Sequence, residues 1–127
     1  MSTKQPYDIH VAVKTHYIER ESNPALGNYV FAYTITIENR GTVAARLLSR
    51  HWVITNGNGL VQEVKGPGVV GEQPLLQPDE GFEYTSGTMM DTPVGAMQGT
   101  YQMKAEDGHE FEADIPAFVL ALPHTLH

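Results

Sequence analysis

Hydrophobic and polar residues alternate with a period of two along most of the chain. In the first stretch, one face carries Tyr7, Ile9, Val11, Val13 and Tyr17. In the second, one face carries Tyr29, Phe31, Tyr33, Ile35 and Ile37. Strict alternation rich in aromatic and β-branched residues predicts strands with one buried face. No stretch sustains the 3.6-residue apolar period of a helix, so we predict none.

A third stretch leads into a pair of Asn-Gly turns. Its predicted faces are Leu48, Arg50, Trp52 and Ile54 on one side, and Leu47, His51 and Val53 on the other. The run ends at Asn56-Gly57-Asn58-Gly59, and alternation resumes over 60–65. Two strand-like runs joined by Asn-Gly predict a hairpin. Trp52, on an alternating strand, is expected in the core.

The second half of the chain predicts more strands of the same kind. Residues 99–113 form a hairpin with Asp107-Gly108 as its turn, and 115–120 form a terminal strand. Pro116 marks an edge or a bulge in that strand, and Ser86 with Gly87 is interpreted as a strand end. The sequence therefore predicts an all-β fold, an antiparallel β-sandwich of about seven strands.

Length and composition fit one domain. The 127 residues, 41% hydrophobic and 18% charged, are typical of a single globular domain spanning 1–127, with its core at about 7–123. The absence of cysteine excludes disulfides and thiolate chemistry. The polar N-terminus has no signal-peptide pattern, and no apolar run reaches the length of a membrane span. We expect a cytoplasmic protein with no membrane partner.

The charge balance argues against nucleic acid as a partner. Eight Lys and Arg against 15 Asp and Glu give a formal net charge of −7, and nucleic-acid binding depends on basic residues that neutralise phosphates. Arg46, Arg50 and Lys65 are the basic residues nearest the segments of interest. We expect them to be solvated side chains on a sheet surface.

Residues 66–71, Gly-Pro-Gly-Val-Val-Gly, match the G-x-G-x-x-G pattern of dinucleotide-binding domains. That pattern works where a helix follows, because the helix N-terminus holds the pyrophosphate. Residues 72–78 contain two prolines, so no helix is predicted and a Rossmann site is excluded. Two interpretations stay open. The loop N–H groups could form an anion-binding nest beside Lys65, or the loop is a bulged crossover between the sheets with Val69 and Val70 in the core, which we favour.

Several blocks of sequence resemble the ApaG family. They are His51-Trp52-Val53-Ile54-Thr55-Asn56, 59–71, Phe82-Glu83-Tyr84-Thr85-Ser86-Gly87, 95–101 and 111–118. The similarity covers about 7–123. One departure is Pro78-Asp79-Glu80-Gly81, where the family usually has Pro-Gly-Glu. The resemblance implies a fibronectin type III-like sandwich and a candidate pyrophosphate site at Gly66, Gly68 and Gly71.

The resemblance also implies a role in binding. Bacterial members are linked to cobalt and magnesium tolerance, and their gene often neighbours a diadenosine tetraphosphate hydrolase. Eukaryotic relatives attach the domain to an F-box protein and to a polymerase-interacting protein. We predict a non-enzymatic module that binds a protein partner, as a monomer or weak homodimer. The alternative is nucleotide polyphosphate or pyrophosphate binding through 66–71, with Lys65, Val69 and Val70 beside the glycines.

Candidate residues for catalysis or metal binding form no recognised motif. The candidate nucleophiles are the hydroxyls of Ser49, Thr85 and Ser86, with His51 or His109 as base. No nucleophile-elbow pattern surrounds them. Asp79, Glu80 and Asp91 are Mg²⁺ ligands by position alone. No two of the histidines have the i, i+2 spacing that places ligands on one strand face; the six are His10, His16, His51, His109, His124 and His127. We therefore predict no catalytic residues, no metal site and no cofactor.

Overall fold

The computed structural model describes residues 4–123 of the chain. In chain order its strands are β1 Ile9–Tyr17, β2 Tyr29–Asn39, β3 Ala45–Asn56, β4 Val61–Pro67, β5 Leu75–Leu76, β6 Gly81–Met90, β7 Val94–Ala105 and β8 Glu110–Ala121. Two 3₁₀ turns, Glu19–Glu21 and Pro24–Leu26, lie between β1 and β2. Neither of these helical turns is long and apolar enough to cross a membrane.

The strands form two antiparallel sheets. The smaller has the order β1-β2-β6, and the larger has the order β4-β3-β7-β8, with β5 pairing to the start of β3. The buried faces of the two sheets share one hydrophobic core. This arrangement confirms the predicted all-β, fibronectin type III-like sandwich, with seven long strands and the two-residue β5.

Trp52 lies at the centre of that core, as predicted, with 2% of its surface exposed. Its indole makes edge-to-face contacts with Tyr33 of β2, at 5.4 Å between ring centroids, and with Phe118 of β8, at 5.9 Å. These three rings join both sheets. Edge-to-face aromatic pairs contribute about 0.5–1.5 kcal/mol each beyond area burial, so Trp52 is a main source of cohesion between the layers.

A β-bulge overturns one prediction about β3. Leu47 and Trp52 were expected on opposite faces, yet both are in the core. The pairing with β7 shifts between Leu47 and Ser49, so Leu48 is an extra residue that inverts the alternation before it. A similar shift in β8, opposite Met97 and Gly99, confirms the prediction that Pro116 marks an edge or a bulge, since β8 is bulged there and is also an outer strand.

The position of Ser86 and Gly87 also differs from the prediction. Both lie inside β6 and pair with β2, so they are not a strand end. A Ser-Gly pair is typical of turns, because neither residue favours strands by itself. Here the register with β2 continues without interruption from Gly81 to Met90, and tertiary pairing overrides the local preference.

One side of the sandwich is closed and the other is open. β1 and β8 approach each other closely along the closed side, whereas β4 and β6, the outer strands on the other side, make no comparable approach. The larger sheet therefore extends one strand beyond the smaller one. Val64, whose neighbour across the ladder is the core residue Trp52, remains only half-buried.

The chain crosses from the larger sheet to the smaller at 77–80, in a tight turn. The Glu80 N–H donates to the Gln77 carbonyl at 2.9 Å, Pro78 occupies the second position, and Asp79 has φ +68°. These are the features of a type II turn, whose third position favours glycine. The departure from the family pattern thus keeps the turn, with aspartate where glycine fits better.

We expect Asp79→Gly to raise the free energy of unfolding by about 0.5–1 kcal/mol, because it relieves the left-handed backbone. The exposed ion pair with Lys4 that is lost in this change contributes little. Urea denaturation measures the difference. Asp79→Asn is the control and should change little, since asparagine tolerates the same φ. A less stable Asp79→Gly variant would contradict the assignment of the turn.

Candidate functional site

A cleft of about 500 Å³ lies at the open side, between β4 and β6. Trp52, Ile54 and Val64 line it from the larger sheet. Tyr33 and Tyr84 line it from the smaller sheet. A cleft of this size, lined by both apolar and polar groups, is suited to a small ligand or to the side chains of an extended peptide.

The cleft continues into a second hollow of about 370 Å³ along the same gap. Ile54 lines both, and the second hollow also includes Leu60, Met89 and Asp91. Leu60 and Met89 are large apolar side chains that are 67% and 65% exposed. We call the two hollows together the β4–β6 groove. It is a channel of mixed apolar and polar lining with a charged residue near each end, Arg50 and Asp91.

The groove exists because β6 changes the size of its inward residues. Its inward positions carry large side chains at Phe82, Tyr84 and Met90 but small hydroxyl side chains at Ser86 and Thr88. The two small residues leave the space that larger ones would fill. The sequence prediction missed both as groove residues, although two hydroxyls within an otherwise bulky alternation are a visible signal.

The glycine motif forms the rim of the groove. Gly66 and Pro67 end β4, and residues 69–72 make a two-residue hairpin in which Val69 and Glu72 exchange N–H···O bonds of 2.8 Å. Val70 and Gly71, the central pair, have φ +44° and +81°, the signature of a type I′ turn. No helix follows before β5, as predicted, so the motif lacks the helix N-terminus on which a Rossmann site depends.

The favoured crossover interpretation of the motif is wrong in two respects. The hairpin stays at the edge of the larger sheet, and the chain changes sheets only after β5. Val69 is buried as expected, but Val70 is 53% exposed. In a two-residue turn the central residues project away from the flanking pair. Trp52 and Val69 therefore line the cleft from within, and Val70 is an exposed valine at its rim.

Most N–H groups of the loop are already used within the protein. The Gly68 N–H donates to the Leu48 carbonyl at 2.8 Å, and those of Val69 and Glu72 close the turn. Within 68–72, the Val70 and Gly71 N–H groups have no acceptor among the residues that the structure describes. An anion at this loop would thus meet two backbone donors, fewer than a full nest provides.

Arg50 lies beneath the motif and is the least expected feature of the site. Its Nη1 donates to the carbonyls of Pro67, at 2.9 Å, and Gly68, at 2.8 Å. A Cβ on Gly66 would come within 3.0 Å of the guanidinium, so this glycine provides the space for Arg50. The prediction of a solvated surface side chain is wrong, because Arg50 is half-buried and lines the cleft.

The charge of Arg50 has no acidic counterpart in residues 4–123, where no carboxylate lies within ion-pair distance of it. Tyr84 and Tyr101 lie nearby with their hydroxyls 2.5 Å apart. Burial raises the pKa of Tyr84 to about 12 and raises the pKa of Tyr101 further. Both phenols therefore stay neutral near pH 7, and the cleft contains an uncompensated cation.

Lys65 is not part of this arrangement. It is exposed, is paired across the ladder with His51, and lines a separate shallow hollow with Ser49, Gln102 and Arg50. Lys65 therefore does not line the β4–β6 groove, whereas Arg50 lines both the groove and this hollow. Arg46 is separate again, since its Nη1 donates to the Gln73 carbonyl at 2.7 Å.

The candidate nucleophiles and bases are not assembled into a triad. Ser49 donates to the Gln102 side chain at 2.7 Å, and His51 Nε2 contacts Glu63 at 2.7 Å. Over 4–123 there is no hydrogen bond between Ser49 and either histidine proposed as base. Thr85 pairs with the Thr34 hydroxyl instead.

The acidic candidates for a metal site already make ion pairs or hydrogen bonds within the protein. Asp79 pairs with Lys4, Glu80 accepts the Gln77 N–H, and Asp91 accepts an Asn56 amide N–H at 3.0 Å. In the described part of the chain, no three His, Asp or Glu residues are grouped so that they could hold a metal ion. His124 and His127 lie outside the described residues.

Val70 is strained by its position in the turn. A β-branched residue at φ +44° is a genuine outlier, with a cost on the order of 1–2 kcal/mol. We expect Val70→Asn to raise the free energy of unfolding by about 1 kcal/mol, because asparagine favours this position of a type I′ turn. Urea denaturation tests this. Val119→Asn, at an exposed valine of β8, is the matched control and should not be stabilising.

The fold and site together define a fibronectin type III-like β-sandwich with a ligand-sized groove at its open side. The family model described as the ApaG domain matches residues 19–105. The chain belongs to this family. It is 62% identical to Protein ApaG of Azoarcus sp. and 61% identical to Protein ApaG of Thiobacillus denitrificans, with 100% of each chain covered.

Solved structures agree with the family assignment. The crystal structure of an ApaA protein from Bordetella pertussis is 51% identical, with a TM-score of 0.94 over 97% of this chain and 100% of that one. The C-terminal domain of wzt is 10% identical, with a TM-score of 0.50 over 97% of this chain and 84% of that one. This second likeness concerns the fold alone.

Proposed function

We propose that this domain is a binding module whose β4–β6 groove receives an extended segment of a protein partner. The observation that carries the proposal is the groove itself, a long channel between two sheet edges, lined by both apolar and polar side chains. Arg50 is the one charged residue among the described residues that line its larger part. An extended segment fits because its side chains can enter the hollows while its backbone runs along the gap.

The exposure and backbone conformation of Val70 support a role for the rim of the groove in binding. An exposed apolar side chain held at an unfavourable φ is retained at a cost in stability, and such outliers concentrate at functional sites. Its place beside the mouth of the cleft makes it a natural contact for a bound segment. Under this proposal Val70→Asn stabilises the domain and weakens partner binding.

Site-specific photo-crosslinking tests the proposal. A benzophenone amino acid replaces Val70 in a bacterial strain where this protein substitutes for the endogenous ApaG-domain protein. The control replaces Val119, an exposed valine on β8 away from the groove. We expect a discrete protein adduct from position 70 and not from position 119. The purified partner should then bind the unmodified domain, with lower affinity for Val70→Asn.

Two results would contradict the proposal. The same adducts from both positions would show non-specific contact. A partner that binds the unmodified and Val70→Asn domains equally would place the interface elsewhere on the sandwich.

Nucleotide polyphosphate binding is the second candidate. It is favoured by Arg50, which has no ion-pair partner among residues 4–123, and by the Val70 and Gly71 N–H groups, which have no acceptor there. The net charge of −7 weighs against it, as does the position of Lys65, which does not line the groove. An amide NMR titration with Mg²⁺-diadenosine tetraphosphate, using Mg²⁺ alone and pyrophosphate as controls, decides between the two. Saturating shifts confined to 66–72 would establish the nucleotide site.

Cobalt and magnesium tolerance, implied by the family resemblance, is an indirect effect under this proposal. It would follow from the partner, since the domain needs no metal ligands to bind a peptide segment. We also propose that the module is non-enzymatic. Among the described residues, the groove brings together a guanidinium, hydroxyls and apolar groups without an assembled nucleophile and base.

A further inference from the structure

We infer that the partner segment binds as an added strand on the free edge of β6 and presents a carboxylate to Arg50. This inference rests on the proposed function and specifies its geometry. The segment would extend the smaller sheet from β1-β2-β6 by one strand, and its backbone would pair with the unpaired edge of β6.

The edge of β6 lacks the usual protection against strand addition. Natural edge strands are commonly short, bulged, or marked by charges and proline. β6 has 10 residues, no proline, one charged residue in Glu83, and an unbroken register with β2. Of the other outer strands, β4 contains Glu63, Lys65 and Pro67, and β8 has a bulge at Pro116. The fourth, β1, has a plain sequence like that of β6, but its edge lies against β8 on the closed side.

The structure has room for a strand at this edge. The larger sheet extends past β6 because β1 and β8 close the opposite side. A strand added to β6 would lie over the inner face of β4, where Val64 is half-buried and Gln62 is exposed. It would cover the exposed Leu60 and Met89 and complete the second layer of the sandwich.

The charges in the groove define the chemistry of the segment. Arg50 lies near Tyr84 and Ser86, and Asp91 follows the other end of β6. A half-buried guanidinium that already bonds two carbonyls gains most from an anionic partner, because charge-assisted hydrogen bonds are the strong ones. The segment therefore carries a carboxylate, from a side chain or a chain terminus, at the Arg50 end.

The probe is a library of random peptides about ten residues long, the length of a long natural strand, displayed with free C-termini. Peptides selected on the domain are measured against Ser86→Lys, which places a long side chain in the groove and obstructs the path of the segment. The matched control is Thr85→Lys on the outer face of the same strand. We expect Ser86→Lys to weaken binding by about tenfold or more and Thr85→Lys to leave it within about twofold.

NMR of the bound peptide tests the strand geometry without any substitution in the domain. Cross-strand contacts between the peptide backbone and β6, with new hydrogen-exchange protection of β6 amides, are the expected result. A peptide that occupies the groove without these contacts would overturn strand addition and leave the proposed function intact. If no peptide prefers the domain to its Ser86→Lys variant, and position 70 also yields no specific adduct, both inferences fail.

A double-mutant cycle tests the carboxylate. Neutralising the acidic group of a selected peptide should weaken binding to the unmodified domain by about tenfold but have little effect on an Arg50→Gln domain. Equal losses with both domains would overturn the assignment of Arg50 as the contact.

Discussion

Gly68→Ala is expected to lower the free energy of unfolding by about 2 kcal/mol or more. Gly68 has φ +58°, which L side chains rarely adopt, and a Cβ there would lie 2.3 Å from the backbone oxygen of Glu72. The contact is with backbone that closes the 69–72 turn, so a side-chain rotation cannot relieve it. Relief requires moving the hairpin, with loss of the Gly68 bond to Leu48.

Gly71→Ala is the matched control for this effect. Gly71 has φ +81°, yet a Cβ there would meet nothing within 4 Å. Only the backbone strain remains, on the order of 1 kcal/mol. Urea denaturation of both variants separates steric from conformational cost. Equal destabilisation would show that the close packing of Gly68 on Glu72 does not determine the requirement for glycine.

Trp52→Ala should be the most damaging change on the groove side, with a loss of about 3–5 kcal/mol. The side chain is 2% exposed and joins Tyr33 and Phe118, so its removal leaves a cavity that would merge with the cleft. That loss is a large share of the stability of a typical domain. Because Trp52 is the single tryptophan, far-UV circular dichroism must follow the unfolding.

Trp52→Phe serves as the comparison, since it keeps an aromatic ring between the two sheets. It should cost less than half as much as the alanine variant. A mild effect of Trp52→Ala, similar to that of Trp52→Phe, would contradict the placement of this side chain at the centre of the core.

The sequence was sufficient to predict the main features of the fold. The regular alternation in β1 and β2 predicts which side chains are buried, because successive side chains of a strand point to opposite faces. The Asn-Gly turn after β3 and the Asp-Gly turn after β7 also form as predicted. What the alternation could not reveal was the bulge at Leu48, since an extra residue depends on the partner strand and leaves no local signature.

The groove was harder to predict than the strands. It results from the relative positions of two sheet edges, which depend on pairings between residues far apart in sequence. Arg50 illustrates the difficulty, because its alternation with Trp52 placed it on the inner face but charge suggested solvent. Its actual position depends on Gly66 having no side chain and on two carbonyls of the glycine motif.

Amide hydrogen exchange over the whole domain, free and bound to a selected peptide, tests most directly whether the β4–β6 groove is the binding surface. We expect new protection along β6 and around 66–71, with little change on the outer face of the larger sheet at His51 and Thr100. Protection confined to that outer face, with β6 exchanging as it does in the free domain, would contradict a binding site between β4 and β6.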